Sequence, residues 1–139
     1  HTIERRYQAI VWGNPEADEG TIEGNIGRNP NDRKVFMVFP EGEDGKWAVT
    51  HWKVLDRYYY VTLVECQLET GRTHQIRVHL ASIGHPILGD QLYGERHKDR
   101  APRLMLHAAS IAFDDGQGNQ FEFEAKLPRD FEKMLAELG

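Results

Sequence analysis

The stretch Leu68-Glu69-Thr70-Gly71-Arg72-Thr73-His74-Gln75-Ile76-Arg77-Val78-His79 decides the fold, because it places two arginines and two histidines around a predicted strand-to-helix turn. Residues 58–68 before it alternate apolar side chains onto one face, which is typical of a strand. Thr73 is the predicted N-cap of the helix that follows. The apolar residues of that helix recur at helical spacing: Ile76, Leu80 and Ile83.

A helix N-terminus beside two basic side chains indicates an anion site. Free backbone N–H groups at such a terminus bind phosphate or carboxylate. Arginines more often lie on the surface without a specific role, and composition alone gives the two interpretations equal weight. The histidines predict no metal centre, because His74 and His79 are five residues apart and diverge on a helix. No Cys/His pair has zinc-ligand spacing either.

The charge of the chain is unevenly distributed. The 139 residues, enough for one domain, carry a net charge of −5, which argues mildly against a nucleic-acid binder. Residues 71–107 instead hold six Lys/Arg against three Asp/Glu, and five of the seven histidines lie there. A local basic face of this kind can bind a polyanion on an acidic protein.

Several features of the sequence bear on where the protein is located in the cell and on whether the chain is part of a longer protein. No apolar stretch approaches the roughly 20 residues of a membrane helix, and the first residues do not form a signal peptide. The single cysteine, Cys66, excludes an internal disulfide, suits a cytoplasmic protein and is expected to be a buried thiol. Because the chain opens without Met, almost directly on a predicted strand at residues 6–12, we expect a fragment of a longer protein.

The pattern along the rest of the chain predicts an α+β fold. We expect a mostly antiparallel mixed β-sheet of six or seven strands with two main helices. Loops are predicted at 16–24 and 94–102, and turns at 28–33 and 41–45. One predicted hairpin joins residues 47–55 to 58–68 through a turn at 56–57, and a second joins 104–113 to 120–125. The last predicted element is a helix that begins at Pro128.

Other chemical motifs are absent from the sequence. It contains no Ser/His/Asp order, no P-loop and no dinucleotide fingerprint. Tyr7 is by default a packing aromatic residue on a strand, and Asp90 is most simply a turn or capping acid. From its residues alone, the sequence predicts only an anion-binding α+β domain.

The central stretch, followed by Gly84-His85-Pro86-Ile87-Leu88-Gly89-Asp90 and Leu92-Tyr93-Gly94, resembles the RluA-type pseudouridine synthases. The resemblance implies the pseudouridine synthase catalytic fold and isomerisation of uridine in structured RNA, often large-subunit ribosomal RNA, without a metal or organic cofactor. Four further motifs extend it along the chain: Tyr7-x-Ala9-x-Val11-x-Gly13, Gly45-Lys46-x-Ala48-x-Thr50, Arg103-Leu104-x-Leu106-His107-Ala108 and Phe123-x-Ala125-x-Leu127-Pro128.

The family's nucleophilic aspartate lies in a His-Arg-Leu-Asp motif, and this sequence contains no such tetrapeptide. We therefore expect residues 1–139 to be the C-terminal portion of the catalytic domain, inactive alone. Exposed strand edges would make such a fragment self-associate, disorder its N-terminus, or both. Two alternatives stay open, a non-catalytic RNA-binding module and a plain structural domain.

The resemblance also implies roles for individual residues. Tyr7 would stack on the flipped uracil, and Arg77 would pair with the nucleophilic aspartate and keep it ionised. Arg77 is thus expected to be half of an ion pair whose other half lies outside the chain. Ile76 would line the apolar side of the pocket. The predicted contacts to RNA phosphate or base are Arg72, Thr73, His74 and Gln75.

Overall fold

The computed structural model describes residues 3–39, 42, 44–94 and 101–138. In chain order, the elements are strands β1 (Ile3–Trp12), β2 (Glu19–Glu23), β3 (Asn25–Asn29), β4 (Asp32–Phe39), β5 (Val49–Arg57) and β6 (Val61–Leu68), helix α1 (Gln75–Ser82), strands β7 (Leu106–Asp114) and β8 (Gln120–Glu124), and helix α2 (Arg129–Leu138).

The strands form one large sheet and one separate hairpin. The large sheet has six strands in the order β2-β5-β6-β1-β7-β8, and β3 pairs with β4 alone. Every neighbouring pair among these strands is antiparallel. The prediction of an α+β fold with a mostly antiparallel sheet and two main helices is therefore confirmed.

Strands β1 and β6 lie at the centre of the sheet and are buried on both faces. Ala9, Ile10 and Val11 on β1 are fully buried although consecutive residues point to opposite faces. Strands covered on both faces read as continuous apolar runs instead of alternating ones. The helices cover the sheet with apolar side chains: Ile76 and Leu80 from α1, and Phe131, Met134 and Leu135 from α2.

Cys66 on β6 is part of this core. Burial raises the pKa of its thiol to about 12, and the neighbouring Glu65 adds to the shift. Since the thiolate is the reactive form of cysteine, this thiol is inert at neutral pH. The prediction of a buried core thiol is confirmed.

The polar segments differ most from the predictions. The predicted loop at 16–24 is wrong in part, because residues 19–23 form the edge strand β2, which buries only Ile22. Residues 28–33 are mostly strand, and the Asn29 side chain closes the turn by accepting the Asn31 N–H. The hairpin between β5 and β6 turns at residues 58–60 instead of 56–57.

Some predictions concern residues that the structure leaves undescribed. Residues 95–100 of the predicted loop at 94–102, and residues 40, 41 and 43 near the turn at 41–45, lie outside the described residues. The last helix is confirmed where predicted: Pro128 precedes α2, and its carbonyl accepts the N–H groups of Phe131 and Glu132. Neither described helix has the length and apolar character that crossing a bilayer requires.

Candidate functional site

Helix α1 begins in an unusual way. Its N-cap is His74, which has φ 55° and ψ 23° and makes no side-chain capping bond. The predicted N-cap at Thr73 is wrong by one residue, because the first helical residue is Gln75 and the N-cap is therefore His74. Among the described residues, all others with positive φ are glycines. A left-handed conformation costs a non-glycine residue about 1–3 kcal/mol and persists only where surrounding contacts impose it.

The Gln75 side chain supplies one set of those contacts. It is 2% exposed. Its Oε1 accepts hydrogen bonds from the Thr70 hydroxyl at 2.7 Å and the Arg72 N–H at 3.0 Å. Its Nε2 donates to the Val49 carbonyl at 2.9 Å and to the Thr50 hydroxyl at 3.0 Å. The amide is thus fully hydrogen-bonded inside the protein, where it joins the turn before α1 to strand β5.

His79, one turn further along α1, continues this network. The Thr50 hydroxyl lies 2.8 Å from its Nδ1, and the Gly24 carbonyl lies 3.3 Å from its Nε2. Because the carbonyl can only accept, the ring proton is on Nε2 and the Thr50 hydroxyl donates to Nδ1. Burial lowers the pKa of His79, although the bond to Gly24 opposes the shift. The neutral ring therefore connects α1 to the residue just before β3.

Arg77 forms a two-bond fork with Asp90. Its Nε and Nη2 each donate to one carboxylate oxygen of Asp90, both at 2.9 Å. The Asp90 side chain is fully buried, and the Arg77 side chain is 19% exposed. The hydrogen bonds to Asp90 raise the pKa of Arg77, although burial opposes them. Arg77 therefore has one carboxylate partner within the described chain, which the sequence did not predict, and its expected pairing with an aspartate outside the chain stays a prediction.

Asp90 also shapes the backbone around the site. Its Oδ1 accepts the N–H groups of Leu92 and Tyr93, both at 3.1 Å. This contact matches the turn role that the sequence predicted. A buried carboxylate is stable only when it is paired and hydrogen-bonded, and Asp90 has both kinds of partner. The fork and the turn together fix the position of the Arg77 guanidinium.

The ring of Tyr93 packs against the Arg77 guanidinium. The Arg77 guanidinium lies 5.2 Å from the centre of the Tyr93 ring. The Tyr93 hydroxyl accepts the Phe36 N–H at 2.9 Å and lies 2.9 Å from His74 Nδ1. Burial lowers the pKa of His74, and the positive charge of Arg77 lowers it further. The imidazole is therefore neutral at pH 7, and its Nδ1 shares one hydrogen bond with the Tyr93 hydroxyl.

The remaining residues predicted for the turn are divided between surface and core. Arg72 is half-buried, and its Nε donates to the Trp47 carbonyl at 2.7 Å. Thr73 is exposed. Ile76 is buried in the main core cluster together with Leu80. Their predicted contacts with RNA stay predictions, and the side chains with outward surface in this group are Arg72, Thr73 and His74.

Tyr7 lies on strand β1, at a bulge where its register with β7 shifts. Its side chain is half-buried and borders a largely apolar groove of about 350 Å³ shared with Ile111, Phe123 and Ala125. Its hydroxyl has no hydrogen-bond partner within the described residues. The structure records no hydrogen bond or ring contact between Tyr7 and Arg77 in the part of the chain that it describes.

Strand register nevertheless places Tyr7 on the same face of the sheet as α1. Tyr7 pairs with Cys66, and Cys66 pairs with Trp52. Thr50 is two residues from Trp52 on β5 and therefore shares its face. Since Gln75 and its helix contact Thr50, α1 covers the face on which Tyr7 lies.

Sequence reasoning missed the structural partners of these residues. Asp90 lies 13 positions after Arg77, and Phe36 lies 57 positions before Tyr93, and no periodicity connects either pair. The predicted basic face over 71–107 is also largely neutralised where it is described, because Arg77 and Arg103 are paired with aspartates. Residues 95–100, which hold its other cations Arg96, Lys98 and Arg100, lie outside the described residues.

Within the described residues, no group of three or more His, Cys, Asp or Glu side chains could hold a metal ion. What the described arrangement offers is a guanidinium fixed by Asp90 beside the aromatic ring of Tyr93. Such a guanidinium can stabilise and orient an anionic group.

Comparison with known proteins gives one consistent family. A sequence profile described as RNA pseudouridylate synthase matches residues 1–82. The chain is 48% identical over 138 residues to an uncharacterized RNA pseudouridine synthase, YlyB, of Bacillus subtilis, covering 99% of this chain and 45% of that protein. It is 39% identical over 144 residues to ribosomal large subunit pseudouridine synthase D of Zymomonas mobilis, covering 97% and 45%.

Solved structures agree with the sequence matches. The human protein RNA pseudouridylate synthase domain containing 1 superimposes with a TM-score of 0.80 at 27% identity, covering 98% of this chain and 65% of that one. The human protein RNA pseudouridylate synthase domain containing 4 gives 0.79 at 26% identity. The chain spans about half the length of the curated relatives it matches.

Proposed function

The chain belongs to the RNA pseudouridylate synthase family, and from this premise we propose that it forms the Arg77-bearing side of a site that isomerises uridine to pseudouridine in structured RNA. The observation that carries the proposal is the buried fork between Arg77 and Asp90, because it leaves one edge of the guanidinium in a defined position. Large-subunit ribosomal RNA is the proposed substrate, supported by the names of relatives such as that of Zymomonas mobilis.

The fork assigns the two edges of the guanidinium different roles. Nε and Nη2 donate to Asp90. Nη1 donates no hydrogen bond within the described residues, and together with the second N–H of Nη2 it forms a second two-donor edge. A carboxylate matches such an edge in geometry and charge. We propose that this edge holds the nucleophilic aspartate of the complete site, which then has its pKa lowered and stays ionised.

Tyr7 supplies the proposed binding surface for the base. A uridine in a structured RNA must leave its stack before its glycosidic bond is accessible, at a cost of a few kcal/mol. An aromatic ring that stacks on the extruded uracil offsets part of that cost. Tyr7 is suited to this role because it is half-exposed, lies on the face that α1 covers and borders an apolar groove.

In the proposed reaction, the ionised aspartate attacks the nucleotide covalently and the uracil detaches from its ribose. The base then rotates and rejoins the ribose through a carbon atom instead of a nitrogen, and the bond to the aspartate breaks. That carbon loses its hydrogen as a proton and the freed ring nitrogen takes one up. Arg77 stabilises the carboxylate before attack and after release, and Tyr7 keeps the free uracil in the site. The sequence holds no His-Arg-Leu-Asp motif, so we expect the 139-residue chain alone to be inactive.

The test measures pseudouridine formation by the longer protein in which we propose this chain to lie, with large-subunit ribosomal RNA as substrate. Arg77→Lys keeps the charge but removes the two-donor fork, and we expect kcat to fall by roughly 100-fold or more. Arg103→Lys is the matched control, because Arg103 forms the same kind of fork with Asp130 on the surface. We expect its kcat to stay within about twofold of wild type.

Each outcome bears on a different part of the proposal. No pseudouridine in any uridine-containing ribosomal RNA, together with specific RNA binding, would favour the non-catalytic RNA-binding module. Full activity of Arg77→Lys would remove Arg77 from the mechanism. Isomerisation by the 139-residue chain alone would show that its own residues supply the nucleophile.

A further inference from the structure

The cations of the described chain fall into two groups. Some of them lie within ion-pair distance of acids, as Arg6 and Lys53 do with Glu65 and as Arg57 does with Asp18. The others have no carboxylate partner among the described residues. They include scattered positions on the large sheet and its helices, such as Arg5 and Arg129, and all three cations of the separate β3–β4 hairpin: Arg28, Arg33 and Lys34.

These three side chains are exposed around the turn of the hairpin. Residues 25–39 contain them and one acid, Asp32, which gives a local charge of +2 on a chain of net charge −5. Arg28 is held in place, because its Nη1 donates to the Arg33 carbonyl at 2.7 Å and its guanidinium lies 4.9 Å from the centre of the Phe36 ring. The side chains of Arg33 and Lys34 make no hydrogen bond within the described residues.

A row of rings connects the hairpin to Arg77. The Phe36 and His74 rings meet edge-on with centres 5.6 Å apart, and the His74 and Tyr93 rings do so at 5.7 Å. The Tyr93 ring in turn lies 5.2 Å from the Arg77 guanidinium. The Tyr93 hydroxyl adds a hydrogen bond from the Phe36 N–H at 2.9 Å. The hairpin therefore has a fixed position relative to the candidate site, although it is not part of the large sheet.

The charges at the two ends of this row act on the same ring. Burial lowers the pKa of His74 most, the positive charges of Arg77 and Arg28 add to the lowering, and the negative charge of Asp90 opposes it. On the hairpin side of His74, Arg28 has no carboxylate partner among the described residues, whereas Asp90 offsets the charge of Arg77 on the other side. A positive potential of this kind attracts an anionic ligand even when the whole protein is acidic.

We propose that the β3–β4 hairpin is a clamp for the RNA backbone, in which Arg28, Arg33 and Lys34 bind phosphates next to the nucleotide held at the Arg77 site. The proposal rests on the proposed function, because it takes the ligand of the Arg77 site to be RNA. Phosphate is the matching ligand for exposed cations that lack a carboxylate partner. The planar guanidinium of Arg28 binds one phosphate, and Arg33 and Lys34 bind further phosphates of the RNA backbone along the strand.

The test measures the affinity of the longer protein for a ribosomal RNA fragment at several salt concentrations. The variant is Arg33→Ala with Lys34→Ala, whose exposed side chains make no hydrogen bond or ion pair within the described residues, so folding is not expected to change. Loss of two phosphate contacts should lower the slope of log K against log salt by about 1.4–1.8. Affinity should fall for all RNA sequences alike, and the loss in kcat/KM should appear as a higher KM.

The matched control is Lys126→Ala with Lys133→Ala, which removes the same charge from exposed positions near α2. The clamp predicts a clearly smaller change in the salt slope for this control. Equal losses in both variants would reduce the effect to net charge and overturn the proposal, as would an unchanged slope in the hairpin variant. Binding is measured without chemistry, so absence of pseudouridine formation with an intact effect on binding would count against the proposed function alone.

Discussion

Two arginine–aspartate forks in this molecule have nearly the same geometry and very different surroundings. Arg77 binds both oxygens of Asp90, and Arg103 binds both oxygens of Asp130 at 2.7 and 3.1 Å. Each guanidinium also lies over an aromatic ring, Tyr93 at 5.2 Å and Phe131 at 5.1 Å. The two forks differ in side-chain exposure. Arg77 is 19% and Asp90 is 0% exposed, whereas Arg103 is 43% and Asp130 is 34% exposed.

From this difference we expect burial, and not fork geometry, to decide how much such a pair contributes to stability. The exposed fork joins the segment before β7 to the first turn of α2, where Asp130 also favours the helix dipole. Water can replace either partner there, so the pair contributes little. The buried fork has no such replacement, because Asp90 is closed off from water and also accepts two backbone N–H groups.

The largest expected effect follows from removing one charge from each fork. Asp90→Asn leaves Arg77 without its counter-charge in a buried position, and we expect the free energy of unfolding to fall by about 3–5 kcal/mol. Asp130→Asn makes the same chemical change in the exposed fork and should leave stability nearly unaltered. Urea denaturation of both variants at pH 7.5 measures the difference.

Equal losses of stability in the two aspartate variants would contradict the role assigned to burial. Unfolding of Asp90→Asn in the absence of urea would agree with a large loss but give no magnitude. Asp90→Glu, which keeps the charge in a longer side chain, then serves as the measurable variant, and it should retain more stability than Asp90→Asn.

The sequence predicted the local part of the buried site well. The strand β6, the turn and the helix α1 follow from patterns within about 20 residues, and Asp90 was expected to be a turn acid, as its bonds to Leu92 and Tyr93 show. Its pairing with Arg77 was not predicted, because an arginine fork between distant segments leaves no periodic signal. Both forks join residues in different elements, 13 and 27 positions apart.

The hairpin and β2 were missed for a different physical reason. A strand is recognised by alternation of buried and exposed residues, which requires one face to pack on a core. Strand β2 buries only Ile22, and the exposed half of the hairpin, around residues 28–34, has the Asn, Pro and Asp composition of a turn. The docking of Phe36 against His74 and Tyr93 depends on a third segment, which composition cannot reveal.

A smaller effect is expected when the two forks are given the same aromatic ring. Tyr93→Phe replaces the tyrosine under Arg77 by the residue type that lies under Arg103, and it removes the hydroxyl that joins Phe36 to His74. Two half-buried polar groups then lose a partner, and we expect a loss of about 1–2 kcal/mol in the free energy of unfolding. Tyr58→Phe, whose hydroxyl donates to the exposed Asp56, is the control and should change stability less.

Tyr93→Phe also tests the link between the hairpin and the Arg77 site. If the hydroxyl holds the hairpin in place, amide hydrogen exchange in β3 and β4 should become faster while exchange in β1 and β6 stays slow. Unchanged exchange in β4, at the Phe36 amide above all, would show that the hairpin is held by its other contacts.

The smallest expected effect concerns pH: the histidines near the buried fork and the carboxylate of the exposed fork should affect stability in different pH ranges. Burial lowers the pKa values of His74 and His79 in the folded protein from the ordinary value of 6.5. The unfolded chain then binds more protons than the folded chain as the pH falls below about 6.5, so the free energy of unfolding decreases with acid down to the folded pKa values. For Asp130, the hydrogen bonds from Arg103 lower the folded pKa from 3.8, so that fork loses its contribution only when the pH falls below that value.

Urea denaturation between pH 7.5 and 5.0 separates these two contributions. His79→Gln removes one of the buried histidines, and its stability should change less with pH over this range than that of the wild type. Asp130→Asn should follow the wild-type slope here, because the Asp130 carboxyl group that it removes stays ionised in the wild type throughout this range. A slope that His79→Gln leaves unchanged and Asp130→Asn reduces would place the acid-sensitive groups at the exposed fork, and would reverse the comparison between the two regions.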